Sequence, residues 1–130
     1  MPRTLIFIFI VAAAIAGCKS KVTGDLEVDG TAFEVRECRS GQAFGFTGLQ
    51  LTDAGGRRMR ILANPDGTAS AALFESGSEV GDRLGSCGRI LIKTQNSQIN
   101  NIHNVMGQAE LYCTTREHRV SGSLEFENCH

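Results

Sequence analysis

The sequence predicts an all-β fold: a single antiparallel β-sandwich or small barrel of about eight strands, closed by two disulfides. Three observations predict it. Apolar and polar residues alternate in short runs, which is the period-2 signature of strands with one buried face. Fifteen glycines against two prolines and no tryptophan suit a turn-rich β domain better than a helical one, because glycine lowers helix stability and supplies positive φ at turns. No helical period recurs, beyond an Ile99, Ile102, Met106 spacing in an Asn-rich segment. Hydrophobic residues make up 42% of the 130 positions, enough for one ordinary domain. Thirteen Lys and Arg balance fourteen Asp and Glu, so there is no clustered basic excess for nucleic acid.

The elements follow in order. Leu26 and Val28 point one way, and Asp29-Gly30 turns the chain into a strand from Thr31 to Cys38 carrying Phe33 and Val35. Ala43 to Thr52 reads as the third strand. There Phe44 and Phe46 fall on even positions and Leu49 and Leu51 on odd ones, so a bulge near Thr47-Gly48 is needed. Asp53-Ala54-Gly55-Gly56 turns into Arg57 to Ala63, with Met59 and Ile61 inward and Arg58 and Arg60 outward. Asn64-Pro65-Asp66-Gly67 is a strong turn before an Ala-rich strand from Thr68 to Glu75. Ser76 to Ser86 reads as a Gly-punctuated loop, Arg89 to Thr94 as a buried strand, and Gln95 to Asn104 as a polar loop. The last pair is plainest: Val105, Gly107, Ala109, Leu111 and Cys113 alternate with polar residues, as do Val120, Gly122, Leu124 and Phe126.

The first residues are an address rather than part of the fold. Arg3 precedes an unbroken apolar run, Leu5 to Ala16, followed by Gly17 and Cys18. Such a run is a secretory signal, too short for the roughly 20 residues needed to span a bilayer. The junction Ile15-Ala16-Gly17-Cys18 resembles the lipobox of bacterial lipoproteins. The resemblance covers residues 1–18 alone. It implies cleavage after residue 17, a diacylglyceryl group and usually an amide-linked acyl chain on Cys18, and retention on a membrane of the bacterial envelope. Lys19 stands where an Asp would resemble an inner-membrane retention signal, so the outer membrane is implied. Residues 18–25 form a short tether reaching at most roughly 25 Å, and residues 26–130 the folded domain.

Export leaves Cys38, Cys87, Cys113 and Cys129 in an oxidising compartment, where an even number reads as two disulfides. No CxxC or HxH spacing offers a metal centre, and no cofactor is expected. The strand map selects the pairing. If Cys113 faces Val120, Cys129 lies roughly 27 Å along the final hairpin, far beyond the about 4.4–6.8 Å between Cα atoms that a bridge tolerates. If Arg89 to Thr94 pairs with Val105 to Cys113, Cys87 falls beside Cys113. The expected bridges are therefore Cys87 with Cys113 and Cys38 with Cys129.

Candidate chemistry is thin. Asp25, Glu27, Asp29 and Gly30 imitate the opening of a calcium loop, but position twelve is Arg36 instead of a bidentate Glu, so a strand entering a turn is the better reading. Glu125 and Glu127 share an outward strand face, and a solvated face explains them better than a carboxylate pair for glycoside hydrolysis. Arg57, Arg58 and Arg60 form a basic cluster, read as a solvated face paired with glutamates. His103, His118 and His130 read as surface histidines, without a GxSxG, SxxK or HExxH string to complete a site. The one unusual polar stretch holds Gln95, Asn96, Gln98, Asn100, Asn101, His103 and Asn104, whose amides offer paired donors and acceptors to a sugar or peptide. With the loop Ser76 to Ser86 it forms the candidate binding region. A noncatalytic envelope module that binds a protein or glycan, or supports an assembly, is the reading these features favour; a small hydrolase using His103 is the alternative.

Overall fold

A computed structural model describes residues 19–130. The signal segment and Cys18 lie outside the described residues. Nine strands form one antiparallel sheet: β1 (Lys21–Val28), β2 (Thr31–Ala32), β3 (Val35–Ser40), β4 (Gly48–Asp53), β5 (Arg58–Ala63), β6 (Thr68–Phe74), β7 (Asp82–Ile99), β8 (Ile102–Thr114) and β9 (Arg119–Cys129). A 3-10 turn, Gly41–Phe44, lies between β3 and β4. The spatial order is β2-β1-β9-β8-β7-β6-β5-β4-β3, so from β3 onward each strand pairs with the next in sequence.

The sheet curls into a half-barrel and is not a sandwich. Successive strands are joined by short connections of at most seven residues, which keeps them in one layer; two facing sheets need a connection that leaves one sheet for the other. The strand count is nine rather than eight because the expected strand Thr31 to Cys38 changes neighbour halfway. Phe33 N–H still donates to the Leu26 carbonyl on β1, whereas the next carbonyl, that of Glu34, accepts from Ala54 beyond β4. This one segment thus touches both outer sides of the sheet and draws the curl together. The Cys38–Cys129 bridge reinforces it by tying β3 to β9, strands that are not paired.

The inner face is a packed apolar core. Alternation places Met59 and Ile61 on β5, Ala69, Ala71 and Leu73 on β6, and Val120, Leu124 and Phe126 on β9 inward, all buried. Core residues meet in register, Met59 opposite Leu73 and the large Ile61 opposite the small Ala71. Each buried Leu, Ile or Met contributes about 1.5–3 kcal/mol of transfer free energy.

Several boundaries differ from expectation. β1 begins at Lys21, not Leu26: Lys21 pairs with Glu127 and Thr23 with Glu125, so most of the expected tether is strand. Thr23-Gly24-Asp25 carries turn-like residues, and only the partner strand makes it extended. The segment 43–47 is not strand. Ser40 Oγ accepts from Gln42 N–H, Gly45 takes a left-handed φ of 86°, and Phe44 and Phe46 stack with ring centres 6.5 Å apart. The Arg60 guanidinium lies over both rings, so the even-position aromatics serve an outside cluster. The basic cluster is accordingly partnered by aromatics and by Asp53, which Arg57 Nε reaches at 2.8 Å, rather than by glutamates.

β7 is far longer than the expected Arg89 to Thr94. It absorbs Asp82 to Ser86 from the presumed loop, with irregular register opposite β6, and continues to Ile99. It is also not buried on both faces, since Leu91 is 68% exposed. Gln95 to Asn104 is then the tip of a β7–β8 hairpin, turned by Asn100 and Asn101, both at positive φ (52° and 63°). Asparagine tolerates this region better than any other non-glycine residue, which explains the Asn-Asn pair. The two segments expected to form one binding region sit at opposite ends of β7.

Candidate functional site

The amide-rich tip is largely occupied with holding the fold. Gln95 Nε2 donates to Asn128 Oδ1 and Gln95 Oε1 accepts from Asn128 N–H, at 3.1 and 2.8 Å. His103 Nδ1 donates to the Gln95 carbonyl at 2.8 Å, across the irregularity that interrupts β7–β8 pairing between Thr94 and Gln98. His130 Nε2 donates to the Ile99 carbonyl, stitching the tip to the C-terminal residues. Asn104 is buried, at 2% exposure. Of the predicted binding residues, Asn96, Gln98, Asn100 and Asn101 are exposed, while Gln95, His103 and Asn104 are built into the structure.

Two features that sequence reading missed are better formed. The first is a groove of about 570 Å³ on the outer face, across β1, β9, β8 and β7. Leu91, Met106 and Gly107 give it an apolar floor; Lys21, Lys93, Glu125 and Glu127 supply charge of both signs, and Gln108 a neutral amide. Register brings them together: Leu91 lies opposite Gln108, Gln108 opposite Glu125, and Glu125 opposite Thr23. Each strand contributes only one or two outward residues, so no single stretch of sequence announces the groove. Leu91 and Met106 inside otherwise polar alternation are the one signal that could have found it.

The second is a cluster at the opposite end of the sheet, where the β1–β2, β6–β7 and β8–β9 connections meet. Asp29 N–H donates to the Arg119 carbonyl and Arg119 N–H to Asp29 Oδ1, both at 2.8 Å, which fixes the carboxylate. Asp29 Oδ2 accepts from His118 Nδ1 at 2.8 Å. Thr115 Oγ1 accepts from the N–H groups of Glu117 and His118, shaping the turn that presents the imidazole. His118 is therefore not an ordinary surface histidine. Asp25 and Glu27, the other acids of the calcium-like opening, point outward from β1 opposite Ser123 and Ser121 and do not join it.

Asp29 holds the His118 pKa above its ordinary value by hydrogen bond and charge, and the Arg119 backbone bond and His118 hold Asp29 below its own. The linkage has opposite signs for the two groups. The raised histidine contributes stability that is complete below its unfolded pKa of about 6.5 and is lost as pH rises through the folded value; the lowered aspartate contributes stability complete above about 3.9 and lost as pH falls. The pair is therefore strongest between about pH 4 and 6.5. Thermal unfolding in EDTA is expected to show the advantage of wild type over Asp29→Asn peaking in this window and shrinking above it. A pH-independent difference would show that the backbone bond alone matters.

Compared with known proteins, the chain matches no family model, no curated protein and no solved structure. Its fold sets its class: a disulfide-bonded antiparallel β domain curled into a half-barrel.

Proposed function

We propose that the protein is a noncatalytic module of the bacterial envelope, lipid-anchored at Cys18, that binds a protein or glycan partner in the groove across β1, β9, β8 and β7. The carrying observation is the groove itself, in which an apolar floor is ringed by two lysines, two glutamates and an amide. Such a lining orients a partner through its rim and gains affinity from its floor. Only residues 19 and 20 separate β1 from the proposed lipid site, and Lys21 is part of the groove. Binding would thus take place beside the membrane, on the outer membrane if sorting follows Lys19.

Two measurements test this. Mass spectrometry of the mature protein is expected to show an acylated Cys18, and Cys18→Ser to abolish both acylation and processing at that junction; mature wild-type protein without acyl groups would overturn the anchor. A photo-crosslinking residue at Gln108 is expected to capture a discrete partner in intact envelopes, and one at Arg116, in the β8–β9 turn, to capture none. Equal capture from both positions, or none from either, would remove the groove as the binding face.

A further inference from the structure

We propose that Asp82, Glu117 and His118 form a binding site for one divalent cation of the zinc class, with Asp29 as the group that orients the histidine. The three residues offer one ligand atom each, all within 4.8 Å of one another. They come from the start of β7 and from the β8–β9 turn, two places the sheet brings side by side.

The donor geometry carries the argument. Because Asp29 accepts the hydrogen bond from Nδ1–H, the neutral imidazole keeps its proton on Nδ1 and presents Nε2 as a lone pair, the state a metal needs. A carboxylate on the far nitrogen is also the usual outer partner of a metal-bound histidine, fixing tautomer and ring angle. Nε2 faces Asp82 Oδ2 at 3.7 Å. That is too long for a hydrogen bond. It is close to the roughly 3.4 Å separating two tetrahedral ligands whose bonds to zinc are about 2.0–2.1 Å.

An independent observation points to a missing partner. Although the Asp82 side chain is 34% exposed, its Oδ2 atom is buried and has no hydrogen-bond donor. Buried carboxylate oxygens are rarely left so, because desolvation without a compensating bond is costly. A cation between Oδ2 and Nε2 would satisfy it, and the exposed Glu117 would close the third side. One imidazole with two carboxylates suits zinc, cobalt or nickel better than calcium or magnesium, which prefer all-oxygen shells of six or more ligands. With three protein ligands, the fourth position falls to water.

The rival arrangement is a protonated His118 held between Asp29 and Asp82 with no metal. Calorimetric titration of the chelator-treated protein with Zn²⁺ at pH 7 distinguishes them. One ion per chain is expected, with His118→Gln and Asp82→Asn each weakening binding at least tenfold and Asp29→Asn about 10–100-fold through the lost orienting bond. Nitrogen NMR should show Nε2 of His118 shifting on saturation while Nδ1 keeps its proton. Thermal midpoints of the zinc-free variants establish that they are folded. No heat of binding by the wild type, or undiminished binding by His118→Gln, overturns the proposal, the latter placing the ion away from this cluster.

Discussion

Replacing Cys38 and Cys129 together by alanine is expected to lower stability by about 4–5 kcal/mol, and the Cys87, Cys113 pair by about 3–4 kcal/mol, from the chain entropy each bridge removes. The bridges span 91 and 26 residues of sequence. For a domain of this size the first loss corresponds to a fall in Tm of roughly 15–20 °C. Architecture widens the gap that loop length opens. Cys87 and Cys113 lie on β7 and β8, which pair directly, so backbone hydrogen bonds continue to hold them near one another. Cys38 and Cys129 join β3 to β9, which share no ladder, and their bond holds the curl shut. Differential scanning calorimetry of the two double variants checks the order. A lower Tm for the Cys87, Cys113 variant would mean that the core under Leu49, Leu51 and Met59 holds the curl without help from the bridge.

The pairing of these four cysteines was legible because it depended on local register: Cys113 opposite Val120, and Gly88 opposite Leu111, lie in stretches of the two hairpins away from their register irregularities. The turn Asn64-Pro65-Asp66-Gly67 was legible for the same reason, closing through the Gly67 N–H to the Asn64 carbonyl. What failed to show was whatever a neighbouring strand decides. Thr23-Gly24-Asp25 and Ser76 to Ser86 are rich in turn residues, yet part of each is drawn into strand by β9 and β6. Phe44 and Phe46 have the right period for a strand, and their stacking under Arg60 overrides it.

The sites were harder still. Polarity singled out Gln95, His103 and Asn104 as a recognition loop, but polar groups close to a hairpin tip and a chain end are as readily consumed by each other, as the Gln95–Asn128 bonds are. His118 could be picked out only with Asp29, 89 residues away, and Asp82 in place. Long-range clusters of that kind leave no spacing to read.

The largest single-residue effect is expected at Gly107. Gly107→Ala should cost more than about 3 kcal/mol, the range reached when a buried backbone clash adds to strain. Gly107 sits on β8 between β7 and β9, opposite Ile92 on one side and Phe126 on the other. Its φ of 154° lies where L side chains rarely go, and a Cβ there would collide with the Leu91 carbonyl oxygen on β7. The Phe126 ring approaches to 3.1 Å of the same point, so the aromatic covers the space the glycine leaves open. A methyl group would have to move the β7 backbone, the ring, or both. Displacing Leu91 would also distort the floor of the outer groove, so the variant should lose partner crosslinking at Gln108 even at temperatures where it is folded. Gly30→Ala makes the control: its φ is positive too, at 79°, but nothing lies within 4 Å of its added Cβ. Its expected cost is the left-handed strain alone, about 1–2 kcal/mol. Urea unfolding of both variants measures the difference, and equal midpoints would show that β8 bends at Gly107 without engaging its neighbours.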